Sequence, residues 1–489
     1  MKLTDILQVL SFYKYNEMDI NDIEISHIAN DSRDVVFGSL FICIKGYIVD
    51  GHDFANEAIA NGAVAIISEK NIECHVPVFV VRDSSRALAM VANKFYRYPT
   101  KNLSLIGVTG TNGKTTVTYL LEAILRELGK KTGVIGTIQL KINDETYPVQ
   151  NTTPDALFLQ KTFKQMKNEG VEVAIMEVSS HGLDIGRVFG CDFDVAIYTN
   201  LSQDHLDYHH TMEEYIRAKS MLFARLGNAY ENNKKYAILN VDDTYSSLLE
   251  RSTSQHILTY SSKQDAHIMA SDIVLAASGT SFTLETPVGD TKIKSKMVGL
   301  FNVYNMLAAS AAAITQNIPI TVIKRALERV NGVAGRFEPI ITPNTGLTTI
   351  VDFAHTPASL ENVLQTIKRF AKGYIYVVVG CGGDRDITKR PLMANVALQY
   401  ANHAIFTSDN PRTEDPEKII RDMTSSLTDR HYEIIQDRKQ AIYRAVDLAE
   451  DDDIILIAGK GHETYQIINH TKHTFDDRVV AKNAMLEKE

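Results

Sequence analysis

Gly107-Val108-Thr109-Gly110-Thr111-Asn112-Gly113-Lys114-Thr115-Thr116 is the stretch on which the fold turns. An apolar run over residues 103–108 leads into it and reads as a strand. Behind it Val117, Leu120, Leu121, Ile124, Leu125 and Leu128 recur at helical spacing until Gly129 stops them. A strand, a glycine-rich loop and a helix in that order form an anion cradle. The glycines let main-chain N–H groups turn onto phosphate oxygens, and the start of the helix adds positive partial charge. Lys114 supplies a full charge for β- and γ-phosphates, and Thr115 a hydroxyl for Mg²⁺. The commonest phosphate loop has glycine five residues before Gly113, where this chain has Val108. The glycines at 107 and 110 therefore make a variant loop, which suits ordinary GTPases and kinases less well. A glycine turn with no ligand is the bland reading, and a lysine followed by two threonines argues against it.

The alternation continues on both sides. Strand-like runs over residues 171–178, 194–199 and 236–241 are separated by helical stretches, the signature of a parallel α/β sheet. A third block begins near Gly332, with strands over 374–379, 404–407 and 453–457 and a helix carrying Leu360, Val363, Leu364 and Ile367. Its strands run into the polar loops Gly380-Cys381-Gly382-Gly383-Asp384-Arg385, Ser408-Asp409-Asn410-Pro411-Arg412 and Gly459-Lys460-Gly461-His462-Glu463. Ligands of open α/β sheets sit at the carboxyl ends of strands, so three such loops point to one shared site. Residues 1–100 are mixed α/β and end at a linker, Tyr98-Pro99-Thr100.

A chain of 489 residues is long enough for roughly three domains. Its net charge of −9 argues against nucleic acid as a partner, because phosphate-backbone binding needs dense Lys and Arg. Cys43, Cys74, Cys191 and Cys381 are far apart and form no C-x-x-C pair, so they read as reduced thiols. There is no secretion-signal pattern at Met1–Leu10 and no apolar run near the ~20 residues of a membrane span. The expectation is a cytoplasmic protein with no membrane partner.

The loop resembles the ATP-binding loop of the Mur ligases, the amino-acid-adding enzymes of peptidoglycan synthesis, and of the related folylpolyglutamate synthases. The likeness covers essentially the whole chain. It runs through Asn30-Asp31-Ser32-Arg33, Glu177-Val178-Ser179-Ser180-His181-Gly182-Leu183 and Asn200-Leu201-Ser202-Gln203-Asp204-His205-Leu206-Asp207. It continues in Ala218-Lys219, Phe301-Asn302-Val303-Tyr304-Asn305, Gly335-Arg336-Phe337-Glu338 and Asp352-Phe353-Ala354-His355-Thr356-Pro357. The D-N-P-R run at Asp409–Arg412 is similar to the diaminopimelate-adding branch, whose lysine-adding relatives usually lack that arginine. The resemblance implies three α/β domains. These are an N-terminal UDP-sugar-binding domain over 1–100, a central P-loop-type parallel-sheet ATPase domain over 101–331 and a C-terminal Rossmann-like amino-acid-binding domain over 332–489.

The resemblance also implies a reaction: ATP-dependent joining of meso-diaminopimelate to UDP-MurNAc-L-Ala-D-Glu through an acyl phosphate, by a monomer. Such chemistry brings two anions together, so metal ions and basic groups must screen their repulsion. By resemblance Lys114, Glu177, His205 and Lys219 are the catalytic set, with Thr115, Glu177, His205 and Lys219 at metal. Lys219 is expected to carry a CO₂-derived carbamate; a lysine amine reacts with CO₂ only when neutral, which burial favours. ATP would meet Gly110, Thr111, Asn112, Gly113, Lys114, Thr115 and Thr116, together with Asn302, Arg336, Asp352 and His355. The muramoyl dipeptide would meet Ser32, Thr152, Thr153, Ser179 and Arg187. Diaminopimelate would meet Arg385, Asp409, Asn410, Pro411, Arg412, Gly459 and Glu463, where a mix of charges suits a side chain ending in amine and carboxylate.

The chain departs from many relatives at Ile185, Phe353 and Ala358, and in Tyr47-Ile48-Val49. These positions are expected to bear on recognition of the muramoyl peptide and to leave the phosphate chemistry untouched. The competing readings are a ligase of the same family that adds lysine or another diamino acid, a folylpolyglutamate-synthase-like ligase and a non-catalytic ATP-binding module. Arg412 argues against the first, Asp31-Ser32-Arg33 with D-N-P-R against the second. Lys114, Glu177, His205 and Lys219 standing together argue against the third.

Overall fold

The computed structural model describes residues 1–46, 49–149, 151–228, 234–276, 278–340, 342, 346–428 and 431–488. Tyr47 and Ile48, two of the departures noted above, lie outside them. Among the described residues the strands form sheets of five, eleven and six members and one two-stranded hairpin. The chain is α/β throughout, as its alternating pattern predicts.

The middle of the eleven-stranded sheet positions the site. Ser104–Thr109 lies between Val173–Glu177 and Val195–Tyr198 and is parallel to both, with Glu177 opposite Val108 and Tyr198 opposite Thr109. That register brings three carboxyl ends side by side: the phosphate loop, Glu177 and the loop after Tyr198. The strands are apolar on both faces, as a doubly covered parallel sheet requires. Ile106 and Val108 pack towards Leu120, Leu121 and Ile124 of the helix Lys114–Glu127, while Leu105 and Met176 belong to the opposite core. Gly129 follows that helix at φ +82, a left-handed backbone that glycine adopts freely and that ends the helix.

The sheet is not parallel throughout. Thr132–Ile135, Leu140–Ile142 and Glu145–Tyr147 form an antiparallel edge, and Ile268–Ala276, Gly279–Glu285 and Thr291–Ser295 form the other. Burial along Ile268–Ala276 largely alternates, leaving one face partly open to solvent, which antiparallel ribbons tolerate and parallel strands do not.

In the six-stranded sheet Thr348–Asp352, Ile454–Ala458, Ile375–Val379, His403–Phe406 and Tyr432–Ile434 are parallel, and Glu338–Ile340 is an antiparallel edge. The loops after the second, third and fourth of these strands touch one another. A Cβ added to Gly459 would stand 2.6 Å from Asp409 Oδ2, and one added to Gly380 3.0 Å from the Asp409 amide nitrogen. Behind them Arg438 and Asp477, both fully buried, form a two-point ion pair at 2.8 Å, and Arg438 Nη2 also donates to Ala458 O at 2.9 Å, which ties the last helix, Asp477–Lys488, to the sheet. Among the described residues no helix is long and apolar enough to cross a membrane.

Candidate active site

Gly110 and Gly113 have φ of +147 and +87, and a Cβ on either would collide, with Thr199 Oγ1 and with Asn305 Oδ1 respectively. The loop is braced from the neighbouring strand end. The Thr111 amide donates to Asn200 O at 2.8 Å, the Asn112 amide to Asn200 Oδ1 at 3.1 Å, and Thr199 Oγ1 donates to Asn112 O at 2.6 Å. Lys114 Nζ curls back onto the Gly110 and Thr111 carbonyls at 3.0 and 2.8 Å. Burial pulls its pKa down, against the opposing pull of Glu177 and Asp204. A half-buried cation that among the described residues is held by carbonyl dipoles, beside a glycine cradle, fits an anion such as a triphosphate.

Glu177 is almost wholly buried and well held. Its Oε2 accepts from Thr115 Oγ1 at 3.0 Å and Thr137 Oγ1 at 2.9 Å, and its Oε1 from the Thr137 amide at 2.9 Å. Thr115 Oγ1 also accepts from Arg336 Nη2 at 3.1 Å, so the third domain reaches the phosphate loop. Arg336 is half-buried, and its guanidinium lies 4.4 Å from the Phe353 ring centroid. That departure therefore stands beside the phosphate loop, contrary to the expectation that it leaves the phosphate chemistry untouched. The buried Nε of Arg336 has no hydrogen-bond partner among the described residues. Such an orphaned donor fits an anionic ligand. Among the described residues no three His, Cys, Asp or Glu side chains form a ready metal cluster. Mg²⁺ commonly takes one or two protein oxygens and completes its shell with phosphate and water, and Thr115 with Glu177 suits that pattern.

His205 lies beyond the strand end at Tyr198, at φ +55, just before the short helix Leu206–His209. Burial pushes its pKa down to about 3. Its neighbour Asp204 joins two domains: its carboxylate is 3.4 Å from His205 Nε2, 3.5 Å from His355 Nε2 and 3.4 Å from Lys389 Nζ. Burial raises the Asp204 pKa, but His205, His355 and Lys389 outweigh it and hold the carboxyl well below the usual range. Lys219 is buried on the helix Met212–Ala224, not on the surface, and donates to Gly110 O at 2.8 Å from 4.3 Å off the Tyr215 ring centroid. Burial, then the like charge of Lys114, drives its pKa well below the ordinary value.

Thr152, Thr153, Ser179 and Arg187 surround the far side of Glu177. Thr152 Oγ1 meets Thr137 Oγ1 at 3.1 Å, and Thr153 Oγ1 donates to Glu177 O at 2.9 Å. Arg187 Nη1 donates to Thr153 O at 2.8 Å, and Ser179 caps the helix Ser180–Asp184, at whose end Ile185 is half-buried. Ser32 stands apart in the first domain, donating to Glu57 Oε1 at 3.1 Å. Asn302 is also set back. It accepts from Asn305 Nδ2 at 3.2 Å, and Asn305 is the side chain that meets Gly113.

Asp352 ends its strand, buried, and accepts from the Phe337 amide at 2.7 Å; burial raises its pKa against the pull of Arg336. Beyond it Arg385 is exposed at a rim, and Arg412 Nη1 donates to Gly383 O at 2.7 Å. Asn410 Nδ2 donates to Glu463 Oε2 at 2.9 Å. Pro411 and Gly459 shape these loops, Gly459 at φ +115. One cavity of about 1370 Å³ is lined by the loop from Thr111 to Thr116, by Glu177 and His205, by Thr152, Thr153, Ser179 and Arg187, and by Arg385, Arg412 and Glu463. Ser32, Gly110, Lys219, Asn302 and Pro411 do not line it. Thr137, Asp204, Asn305 and Lys389 join the site without having been assigned from the sequence. Asp204 and Asn305 sit in quoted motifs, whereas Thr137 and Lys389 carry no local signal.

Comparison with known proteins agrees with this geometry. Residues 24–96 match the Mur ligase family catalytic domain, 108–313 the Mur ligase middle domain and 335–461 the Mur ligase glutamate ligase domain. A protein of Oceanobacillus iheyensis named UDP-N-acetylmuramoyl-L-alanyl-D-glutamate–2,6-diaminopimelate ligase is 60% identical, with all of both chains covered. One of Bacillus cereus with the same name is 56% identical over 94% of each chain. A solved structure of an enzyme so named is 36% identical with a TM-score of 0.71, covering 100% of this chain and 99% of that one.

Proposed function

Because the chain belongs to the Mur ligase family, we infer that it is the ligase that adds meso-diaminopimelate to UDP-MurNAc-L-Ala-D-Glu with hydrolysis of ATP to ADP and phosphate, in peptidoglycan synthesis. The γ-carboxylate of D-glutamate attacks the γ-phosphorus of ATP and ADP leaves. The diaminopimelate amine then attacks the acyl carbon, and inorganic phosphate departs with one of the original carboxylate oxygens. The observation carrying this reading is one shared cavity in which Lys114, Thr115 and Glu177, at the strand ends of the second sheet, face Arg385, Arg412 and Glu463 at those of the third.

We propose that Lys114, Arg336 and the main-chain amides of residues 110–116 neutralise the triphosphate, so that a second anion can approach. Thr115 and Glu177 would hold Mg²⁺, which screens phosphate charge when bound. Thr152, Thr153, Ser179 and Arg187 would orient the dipeptide, with Ser32 meeting the nucleotide end. Asn302 would act through Asn305, while Asp352 and His355 complete the nucleotide side. The contacts of Arg336 with Thr115 and of Asp204 with Lys389 keep the third domain closed over the cavity and exclude water from a hydrolysable acyl phosphate. Phosphate release from the purified chain should require both the UDP-dipeptide and diaminopimelate, with UDP-tripeptide appearing by mass spectrometry. Equal ATP turnover without either would defeat the reading.

Lys219 is proposed to take up CO₂ as a carbamate, which its burial and depressed basicity support. A ¹³C resonance in bicarbonate buffer, absent from Lys219→Ala, would test it, and no difference between the two proteins would remove it. The chain is proposed to be a cytoplasmic monomer, checked by sedimentation and cell fractionation; a stable dimer or a membrane-bound pool would contradict that. Its domains are proposed to divide at 1–100, 101–331 and 332–489, which the separate sheets support, and limited proteolysis should cut near those junctions first.

A further inference from the structure

Lys460 is fully buried directly after Gly459, and the reaction as described gives it no role. An ammonium taken out of water must be paired. Lys460 Nζ donates to Asn410 Oδ1 at 3.0 Å and to Glu463 Oε2 at 2.9 Å, and lies 5.7 Å from the Tyr465 ring centroid. Asn410 Oδ1 also accepts from the Ile467 amide at 2.9 Å, and Asn410 Nδ2 donates to Glu463 Oε2 at 2.9 Å.

This triangle has two consequences. Two donors on Oδ1, one of them charged, leave the Asn410 carboxamide a single orientation, with its NH₂ towards Glu463. Glu463 is then held entirely through Oε2, which receives both Lys460 and Asn410. Among the described residues no hydrogen bond reaches its Oε1, and Glu463 lines the cavity beside Arg412. One carboxylate oxygen is thus anchored and the other is free to accept an ammonium. Lys460 also supplies positive charge between two acids, Asp409 and Glu463; it is the strongest attraction opposing the burial penalty on Asp409, whose pKa is lowered.

We propose that Lys460 is a positioning residue for the incoming diamino acid: through Asn410 and Glu463 it fixes the free Glu463 oxygen where the amino acid's ammonium is received. The proposal rests on the reading of Asn410 and Glu463 as amino-acid contacts. Its effect falls on capture of the amino acid, not on phosphoryl transfer, because neither Lys460 nor its partners touch the phosphate loop.

The test uses the full chain with saturating ATP and UDP-dipeptide, varying meso-diaminopimelate for Lys460→Met, Glu463→Gln and the double variant. Losing the buried partner of Glu463 should raise KM for diaminopimelate by about 30-fold in Lys460→Met. KM for ATP should stay within about twofold, and the double variant should match Glu463→Gln within about threefold, because both act on the Glu463 contact while Asp409 keeps the attraction of Arg438 and Arg412. If Glu463→Gln leaves KM for diaminopimelate unchanged, the amino-acid site itself is misread. If Glu463→Gln raises it and Lys460→Met does not, the role of Lys460 alone is overturned. Should Lys460→Met fail to fold, the double variant, which leaves no unpaired carboxylate at 463, decides. A further rise of about tenfold over Glu463→Gln, or an equal rise in KM for ATP, refutes the proposal.

Discussion

Replacing Arg412 with alanine should erase the preference for diaminopimelate over lysine. The two amino acids differ by one distal carboxylate, so only a group that meets that carboxylate can separate them. Arg412 is half-buried near Arg385, and burial first and the like charge of Arg385 second weaken its hold on its proton. A cation facing its like, with Nη1 satisfied by Gly383 O, suits an anion between the two guanidinium groups. A charge-assisted hydrogen bond to a carboxylate contributes about 1.5–3 kcal/mol, which at 1.4 kcal/mol per decade is roughly 10- to 150-fold in affinity. Arg412 sits at φ +53, held by its amide to Ile467 O at 3.1 Å and its carbonyl to the Asn469 amide at 2.7 Å. Alanine keeps the same left-handed penalty, so the comparison isolates the guanidinium. Loss of the bond to Gly383 would affect both amino acids equally and cancels in the ratio. Phosphate release with each amino acid, as kcat/KM, gives that ratio. Arg412→Ala should reduce it by about 100-fold, mainly through KM for diaminopimelate. A ratio unchanged within about threefold would show that the distal carboxylate is read elsewhere.

Gly113→Ala should abolish nucleotide binding, since a left-handed alanine costs about 1–2 kcal/mol and its methyl collides with Asn305. Calorimetric titration with ADP showing wild-type affinity would contradict this. Lys389→Met should lower kcat about 10- to 100-fold with nucleotide binding retained, because Asp204 loses one of its two partners in the third domain; an unaltered kcat would show that the contact is incidental. Asp477→Asn should reduce unfolding stability by about 3–5 kcal/mol by leaving Arg438 buried without its counter-charge. A denaturant midpoint shift equivalent to less than about 1 kcal/mol would show that the pair is relieved by solvent.

The phosphate loop was legible because its chemistry is local. Strand, glycines, lysine and helix follow within the stretch from Ser104 to Glu127, and each strand read from apolar runs falls within about two residues of its observed span. Lys219 was legible only through resemblance. Its burial depends on Gly110, which lies 109 positions away in sequence, and nothing in the helix around it announces that contact. Asp204 and Lys389, 185 positions apart, and Glu177 with Thr137 are non-local in the same way. The antiparallel strands over residues 268–295 escaped because apolar residues such as Val274 stand on the exposed face, which blurs the alternation in the sequence that burial shows in the structure.

In the proposed mechanism the cradle lets a carboxylate and a triphosphate meet, so that the acid becomes an acyl phosphate before the amine arrives. Labelling the D-glutamate γ-carboxylate of the UDP-dipeptide with ¹⁸O and analysing the released phosphate by mass spectrometry tests it directly. One ¹⁸O atom transferred per phosphate is the predicted result, and phosphate free of label alongside tripeptide formation would contradict it.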